Sequence, residues 1–226
     1  MIKLESRLET IAGMIPKCRL FADIGADHGL LSARLIEMGA CQRAHLVDIS
    51  EASLQKARRL MAKLGFDDRT TITVGDGVLP LNEKPDCAVI AGMGGQTIAG
   101  IVEKGRKTLE ASLVITQPNV GIYELRRSLS SAGWLIEDEK LARCAGRWYV
   151  IIAWRMSNMA RIDYSDLELM AGPILLKKGG DDLKAYADFR IRVALKALAV
   201  EREGLDGPTI AMKKELGIWR EVQKCL

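Results

Sequence analysis

Between residues 19 and 156, five β-rich runs alternate with amphipathic helical stretches, and two further β-rich runs then follow each other with no helix between them. Strands that alternate with helices form a parallel sheet, whereas two strands joined directly must be antiparallel. The sequence therefore predicts a seven-stranded α/β sheet that ends in a hairpin. The predicted strands are residues 19–24, 44–49, 70–75, 86–92, 112–117, 134–143 and 147–156.

After residue 156 the strand pattern stops and helical patterns replace it. Residues 166–180 predict a helix that is interrupted at Pro173, because proline cannot continue a helix. Two longer helices follow, and the short break at residues 206–208 makes them pack antiparallel. Their apolar stripes consist of Leu183, Ala187, Ile191, Ala194 and Leu198, and of Met212, Leu216, Trp219 and Val222. We therefore predict two domains, an α/β domain over residues 1–157 and a small all-α domain over residues 158–226.

Composition excludes several classes of protein. The 226 residues carry a net charge of +4, which is too mild to indicate a nucleic-acid partner by itself, and no apolar run approaches the ~18 residues that span a bilayer. The N-terminus lacks a secretory signal, and the five cysteines lie at least 23 residues apart. We expect reduced thiols in a cytoplasmic protein, with no membrane, no metal site and no obligate protein partner.

Polar or glycine-rich residues follow each of the five predicted parallel strands. Ligands of open α/β sheets bind beyond the carboxyl ends of the strands, so these residues are the candidates for a binding site. The segments are Asp23–Gly29 (DIGADHG), Asp48 with Ile49, Gly75–Gly77 (GDG), Ala91–Gly95 (AGMGG) and Gln117–Asn119 (QPN).

The first of these segments discriminates between ligands. Its glycines, Gly25 and Gly29, let a ligand approach the backbone, but Asp27 occupies the position of a middle glycine. A carboxylate that faces a diphosphate at ~4 Å costs roughly 4 kcal/mol per charge pair, which argues against a dinucleotide. S-adenosyl-L-methionine carries an ammonium and a sulfonium instead, so Asp27 and Asp23 would attract it. The alternative is that Asp27 only caps the following helix.

Asp48 lies 23 residues after Gly25, where an acid accepts hydrogen bonds from ribose hydroxyls in both NAD and S-adenosyl-L-methionine sites. Asp76 and Gly77 follow the third strand, where they would bind the exocyclic amine of adenine or simply form a turn. His28 has three open interpretations: loop structure, ligand contact or proton transfer.

The fourth and fifth segments are candidates for the acceptor side. Gly92 and Met93 lie in a stretch where a planar group can approach the backbone, and Gln117 and Asn119 carry amides that can hydrogen-bond a base edge. The alternatives are a tight turn with Met93 as an ordinary core residue for the fourth segment and a helix-entry turn for the fifth. The sequence contains no GxSxG, HExxH or P-loop motif, so hydrolase and kinase functions lack support. A nucleotide-dependent oxidoreductase and a non-catalytic RNA-binding module stay as competing hypotheses.

Five parallel strands with a closing hairpin match the seven-stranded, Rossmann-like sheet of class I methyltransferases. With DIGADHG, GDG, AGMGG and QPN in this order and a helical tail, the whole chain resembles the bacterial tRNA (adenine-22-N1)-methyltransferase family. The resemblance implies S-adenosyl-L-methionine as cofactor, methylation of N1 of an adenine in the D-loop region of tRNA, and a helical tail that helps to hold the tRNA. Another RNA or a non-RNA acceptor is the alternative.

The resemblance also places Arg7, in SRL, near the cofactor pocket. We predict a catalytic pocket that involves Asp27, Met93 and Asn119. The predicted cofactor-binding residues are Arg7, Asp23, Gly25, Asp27, His28, Gly29, Asp48, Ile49, Asp76, Gly77, Gly92 and Met93.

Overall fold

The structure, a computed structural model, describes residues 2–157, 162–200 and 207–226 of the 226-residue chain. The chain divides into two compact units, Met1–Ile162 and Asp163–Leu226. The boundary predicted between residues 157 and 158 falls beside residues 158–161, which lie outside the described ranges. No helix in the described ranges is both long enough and apolar enough to cross a membrane.

One mixed sheet of seven strands forms the centre of the first unit. Its strands are β1 (Cys18–Ile24), β2 (Cys41–Asp48), β3 (Thr70–Val74), β4 (Cys87–Gly94), β5 (Leu113–Val120), β6 (Trp134–Cys144) and β7 (Arg147–Met156). Their spatial order is β3-β2-β1-β4-β5-β7-β6. β1 to β5 are parallel, and β7 is antiparallel to both β5 and β6. The predicted sheet and its hairpin are therefore confirmed, and the strand order reverses between β1 and β4, where ligands of such sheets bind.

Six helices connect and cover these strands. They are α1 (Ser6–Ala12), α2 (Leu30–Glu37), α3 (Glu51–Leu64), α4 (Gly95–Lys104), α5 (Arg106–Leu109) and α6 (Ile122–Ser131). The ends of α3 follow from local chemistry, since the Ser50 hydroxyl accepts a hydrogen bond from the Ser53 amide at 3.2 Å and Gly65 ends the helix at a φ of 68°. The sequence predicts that Leu54, Ala57, Met61 and Leu64 lie on one face of this helix; the first three are buried and Leu64 is half-buried.

The sequence of residues 95–109 (GQTIAGIVEKGRKTL) predicts one continuous helix, and this prediction is wrong, because the chain breaks at Gly105 into α4 and α5. A Cβ at Gly105 would lie 2.0 Å from Cγ2 of Val78. Only glycine fits so close to this side chain, and its backbone (φ −91°, ψ 10°) leaves the helical region. The sequence shows the glycine but not the contact that requires it.

The strand ends next to the candidate site are also longer than predicted. β4 continues to Gly94 and β5 to Val120, although the predicted strands stop at residues 92 and 117. The pairing of these two strands shifts register between Ala91 and Gly94, and Gly92 has a φ of 79°. AGMGG and QPN are therefore irregular strand ends rather than loops, which brings the two segments side by side.

A buried ion pair links α6 to β6. Nε of Arg126 donates to Oε1 of Glu139 at 2.8 Å, and both side chains are fully buried. Removing one partner from such a pair leaves an uncompensated charge in the core. The pair therefore ties the hairpin to the helix that precedes it.

The second unit contains four helices in its described residues, 163–200 and 207–226. They are α7 (Asp166–Ala171), α8 (Pro173–Lys178), α9 (Asp181–Val200) and α10 (Gly207–Cys225). Pro173 is the first residue of α8, so the predicted interruption is confirmed. The serine before α7, Ser165, forms a capping box with Glu168.

α9 and α10 pack along their predicted apolar stripes. The ring of Tyr186 stands edge-on to Trp219, with centroids 5.3 Å apart, and Arg190 forms an ion pair with Glu215. The later residue of α9 thus contacts the earlier residue of α10, which is the order of an antiparallel pair. The stripe residues buried in this packing are Leu183, Ala187, Ala194, Leu216, Trp219 and Val222, while Ile191, Leu198 and Met212 are half-buried.

Candidate functional site

A cavity of about 290 Å³ lies at the carboxyl ends of β1 and β4, where the strand order reverses. α1, the loop after β1 and the first turn of α2 complete its walls. Six of the predicted site residues border it, namely Arg7, Asp23, Gly25, Asp27, His28 and Gly92. The structure therefore brings together residues that the sequence spreads over 86 positions, from residue 7 to residue 92.

The loop after β1 turns through three residues with positive φ: Gly25 at 73°, Asp27 at 46° and Gly29 at 69°. A Cβ at Gly25 would lie 2.4 Å from Cε of Met93, so the Met93 methyl group covers this turn. Asp27 adopts its conformation at a cost of about 1 kcal/mol, because it is not glycine. Strain of this kind concentrates at functional sites.

The side chain of Asp27 does not cap α2. The N-cap position belongs to Gly29, and no side chain accepts a hydrogen bond there, so the capping interpretation is wrong. The Asp27 side chain is 65% exposed, and its Oδ1 lies 3.4 Å from Nε2 of His28. The carboxylate therefore stands at the edge of the cavity, accessible to a ligand.

Asp23 places a second, buried carboxylate on the cavity wall. Its side chain is almost completely buried at the end of β1, and the Ser32 hydroxyl donates to Oδ2 at 2.6 Å. Burial raises the pKa of Asp23 to about 6; hydrogen bonds from Ser32 oppose this shift, and the charge of Asp48 adds to it. A cation bound in the cavity would favour the ionised form of this group.

Asp48 connects the loops that follow β1 and β2. Its Oδ1 accepts from the Ser50 amide at 2.8 Å, and its Oδ2 accepts from the Asp27 amide at 3.0 Å. Each oxygen keeps a further lone pair for a ligand. The next residue, Ile49, is 76% exposed, which is unusual for a large apolar side chain. Neither residue borders the cavity itself.

Arg7 brings a positive charge from α1 to the cavity. Its Nε and Nη2 bind Oε1 of Glu5 at 2.8 and 2.7 Å, and its guanidinium carbon lies 5.6 Å from the centre of the Tyr149 ring. Nη1 donates to Oε1 of the fully buried Gln117 at 2.8 Å. Three partners therefore fix the orientation of this guanidinium.

Gln117 and Asn119 continue this set of contacts along β5. Nε2 of Gln117 donates to Oδ1 of Asn119 at 3.1 Å, and Nδ2 of Asn119 donates to the carbonyl oxygen of Gly92 at 2.7 Å. Asn119 is exposed and lies outside the cavity lining. The two amides predicted as candidates thus form one connected group that begins at Arg7.

His28 pairs with a neighbouring helix. Its Nε2 lies 3.0 Å from Nζ of Lys56 in α3. Because an ammonium can only donate, Nε2 is the acceptor in this contact. This bond orients the ring, while the three interpretations of His28 stay open.

The remaining predicted residues do not border the cavity. Asp76 is exposed, with Oδ2 3.8 Å from Nζ of Lys104, and Gly77 packs against Ile101 at a φ of 58°. The turn interpretation accounts for both. Gly29 and Met93 act on the shape of the loop rather than on the lining.

Sequence reasoning missed the apolar part of the cavity and the partner of Asp23. The missed lining residues are Leu8, Leu30, Leu31 and Val89. The position of Leu30 and Leu31 directly after the DIGADHG motif was an available signal. No sequence signal pointed to Ser32 as the partner of Asp23, since a serine inside a helix usually has no special role.

Within residues 2–157, 162–200 and 207–226, no group of three or more histidine, cysteine, aspartate and glutamate side chains could hold a metal ion.

Comparison with known proteins gives a consistent result. The profile of the family described as "Methyltransferase domain" matches residues 4–152. The tRNA (adenine(22)-N(1))-methyltransferase of Bacillus subtilis (strain 168) is 31% identical over 182 residues, which cover 78% of this chain and 76% of that relative.

Two solved structures share the fold over nearly the whole chain. The B. subtilis M1A22 tRNA methyltransferase TrmK is 22% identical, covers 99% of this chain and 100% of that one, and has a TM-score of 0.84. TrmK of M. capricolum, in complex with S-adenosyl-homocysteine, is 21% identical, covers 98% of both chains and has a TM-score of 0.85. By its family profile and its similarity to the B. subtilis enzyme, the chain belongs to the tRNA (adenine(22)-N(1))-methyltransferase family.

Proposed function

We propose that this protein transfers the methyl group of S-adenosyl-L-methionine to N1 of adenine 22 in bacterial tRNA. The observation that carries the proposal is the cavity at the switch point, which presents two carboxylates and one guanidinium, those of Asp23, Asp27 and Arg7. Membership of the family supplies the reaction and the acceptor.

The charges of the cavity fit an amino acid better than a phosphate. Asp23 and Asp27 attract an ammonium, and Arg7 offers its positive charge to a carboxylate. A diphosphate would meet two negative charges instead. When bound, S-adenosyl-L-methionine supplies a methyl group already activated by a positively charged sulfur.

The adenosyl half of the cofactor has its own candidate partners next to the cavity. The spare lone pairs of Asp48 can accept from two ribose hydroxyls. The exposed Ile49 provides an apolar surface for an adenine ring. Asp76 and Gly77 stay predictions for the adenine amine, because their positions are also explained by a turn.

The acceptor chemistry places few demands on the protein. N1 of adenine carries an in-plane lone pair and no proton, so methyl transfer requires alignment rather than a general base. The base must leave its stack or pair before N1 can meet the methyl group. The product ring is cationic, and the exposed carboxylate of Asp27 would stabilise it electrostatically.

A basic surface on the second unit supports a nucleic-acid acceptor. We call it the α10 ridge, and it consists of the exposed side chains of Lys213, Arg220 and Lys224. With Gly217, these residues follow one another at intervals of four, three and four residues, so they lie on one face of the helix. Within the described residues none of the three has an ion pair, whereas Lys214 binds Asp166 at 2.6 Å.

Unpaired cations in a row suit the phosphates of an RNA backbone. We therefore propose that the helical tail, predicted as residues 158–226, holds the tRNA while the first unit performs the chemistry. The five cysteines are all free thiols, which supports a cytoplasmic protein.

The test is to incubate the full chain with total bacterial tRNA and labelled S-adenosyl-L-methionine and to map the methylated nucleoside. We expect 1-methyladenosine at position 22. The Asp27→Ala variant should lose this activity, while Asp67→Ala, at an exposed aspartate of the first unit, should keep it. Label in another nucleoside, or full activity of Asp27→Ala, would contradict the proposal.

A further inference from the structure

Three consecutive hydrogen bonds join Arg7 to Gly92, two residues that border the cavity, through the amides of Gln117 and Asn119 at the carboxyl end of β5. They run from Arg7 to Gln117 at 2.8 Å, from Gln117 to Asn119 at 3.1 Å and from Asn119 to the carbonyl oxygen of Gly92 at 2.7 Å. We call this series the amide chain. Gln117, its centre, is fully buried and does not border the cavity.

The two ends of the amide chain determine its direction. Arg7 can only donate, so Oε1 of Gln117 must face it, and Nε2 of Gln117 must then donate to Oδ1 of Asn119. The Gly92 carbonyl can only accept, so it takes Nδ2 of Asn119. If both amides were turned over, Nε2 of Gln117 would face the donors of Arg7, and Oδ1 of Asn119 would face the carbonyl oxygen of Gly92. The orientation of each amide is therefore fixed by chemistry at both ends.

This direction decides what Asn119 presents to a ligand. One lone pair of its Oδ1 is used by Gln117, and the second is left on an exposed side chain. One of its two amide hydrogens is held by Gly92. Asn119 is thereby fixed with its carbonyl oxygen ready to accept a hydrogen bond.

We infer that Gln117 is a positioning residue, which orients Asn119 so that Oδ1 accepts a hydrogen bond from the 6-amino group of the target adenine. This inference rests on the proposed function and concerns how its acceptor base is selected. The 6-amino group lies next to N1, so the bond orients the base and leaves the N1 lone pair free. Guanine presents an acceptor at the same place, and two acceptors repel each other.

The experiment compares two tRNA substrates, with adenosine or with purine riboside at position 22; purine riboside has hydrogen in place of the 6-amino group. The measured quantity is kcat/KM for the adenosine substrate divided by kcat/KM for the purine riboside substrate. Intrinsic reactivity of N1 differs between the bases but is the same for every variant. Gln117→Glu offers no donor to Asn119, so Asn119 must turn its Nδ2 toward residue 117. We expect the ratio to fall about tenfold in this variant, the value of one hydrogen bond to substrate.

Two further variants separate positioning from structural damage. Gln117→Leu breaks the amide chain but does not force Asn119 to turn its amide over. The ratio should therefore fall less in Gln117→Leu than in Gln117→Glu. Gln96→Glu makes the same chemical change at an exposed glutamine in α4 and should leave the ratio unchanged. Circular dichroism and the urea midpoint of unfolding report whether the first unit is folded in each variant.

Asn119→Ala keeps the inference testable even if Gln117→Glu does not fold, because residue 119 is exposed. In Asn119→Ala the ratio of kcat/KM for adenosine over purine riboside should also fall about tenfold. The inference would be overturned if the ratio of Asn119→Ala, or that of a folded Gln117→Glu, stayed within twofold of the ratio of the unmodified protein. If the unmodified protein does not methylate the adenosine substrate at all, the proposed function itself fails, and this outcome is distinct.

Discussion

The carboxylate of Asp23 makes the folded protein less stable at neutral pH, and replacing it with asparagine should reverse this effect. The folded pKa of Asp23 is raised to about 6 from an ordinary value of 3.8, chiefly by burial. One pKa unit corresponds to about 1.4 kcal/mol, so ionising this group inside the fold costs about 3 kcal/mol at pH 7.

The cost depends on pH in a defined direction. Below pH 3.8 the carboxyl is protonated in both states and the cost is absent. Between pH 3.8 and about 6 the unfolded chain loses its proton while the folded chain keeps it, so the free energy of unfolding falls as pH rises. Above pH 6 the cost stays constant. An asparagine has no such titration, and its carbonyl oxygen can still accept the Ser32 hydroxyl.

Urea unfolding of the ligand-free protein, followed by circular dichroism at pH 4, 5, 6 and 7, measures this effect. The free energy of unfolding of Asp23→Asn, relative to the unmodified chain, should rise by roughly 2 kcal/mol from pH 4 to pH 7. Asp67→Asn, at an exposed aspartate, should show no such rise. A difference that does not vary with pH would refute the reasoning.

The same substitution should weaken cofactor binding. If the ionised Asp23 attracts the ammonium of S-adenosyl-L-methionine, the affinity of the unmodified protein rises as pH increases toward 6 and then levels off. Asp23→Asn should bind at least about tenfold more weakly at pH 7 and should lose this pH dependence. Calorimetric titrations at the same four pH values test both points. Stability and binding would then change in opposite directions at one residue.

Three further predictions concern other parts of the molecule. Arg126→Leu should destabilise the protein by about 3–5 kcal/mol, because it removes the guanidinium that is hydrogen-bonded to the fully buried Glu139, and replacing both residues with leucine should restore most of this loss in the same urea assay. Gly217→Ala should stabilise α10 by up to about 1 kcal/mol, since among the described residues a Cβ there meets no atom within 4 Å apart from the backbone of its own helix; a lower midpoint of unfolding would contradict this. Reversing the three charges of the α10 ridge to glutamate should weaken tRNA binding and reduce its salt dependence by roughly one unit of slope per contact, with unchanged affinity for S-adenosyl-L-methionine in calorimetry. Equal tRNA affinity at low salt would exclude the ridge as a contact.

The sequence predicted the sheet because the signals for strands and helices are local. Alternating β-runs and helices, with one hairpin at the end, determine which strands are parallel, and no distant contact is required for that conclusion. The ends of α3 at Ser50 and Gly65 are also determined locally, because each capping residue acts on its own neighbours in the sequence. The break at Gly105 is not, since its cause is Val78, 27 residues earlier in the chain.

The candidate site divides in the same way. DIGADHG alone indicated a ligand that approaches the backbone and is not a diphosphate, because a carboxylate has its charge in any fold. Which carboxylate is buried is a matter of tertiary structure, as the exposed Asp27 and the buried Asp23 show. The pKa of Asp23 and the direction of the amide chain from Arg7 to Gly92 depend on residues that are distant in sequence and adjacent in space. The sequence by itself thus determined the kinds of chemical groups and the order of the elements, and only the packing decided which groups meet, since burial and hydrogen bonding are properties of the folded arrangement.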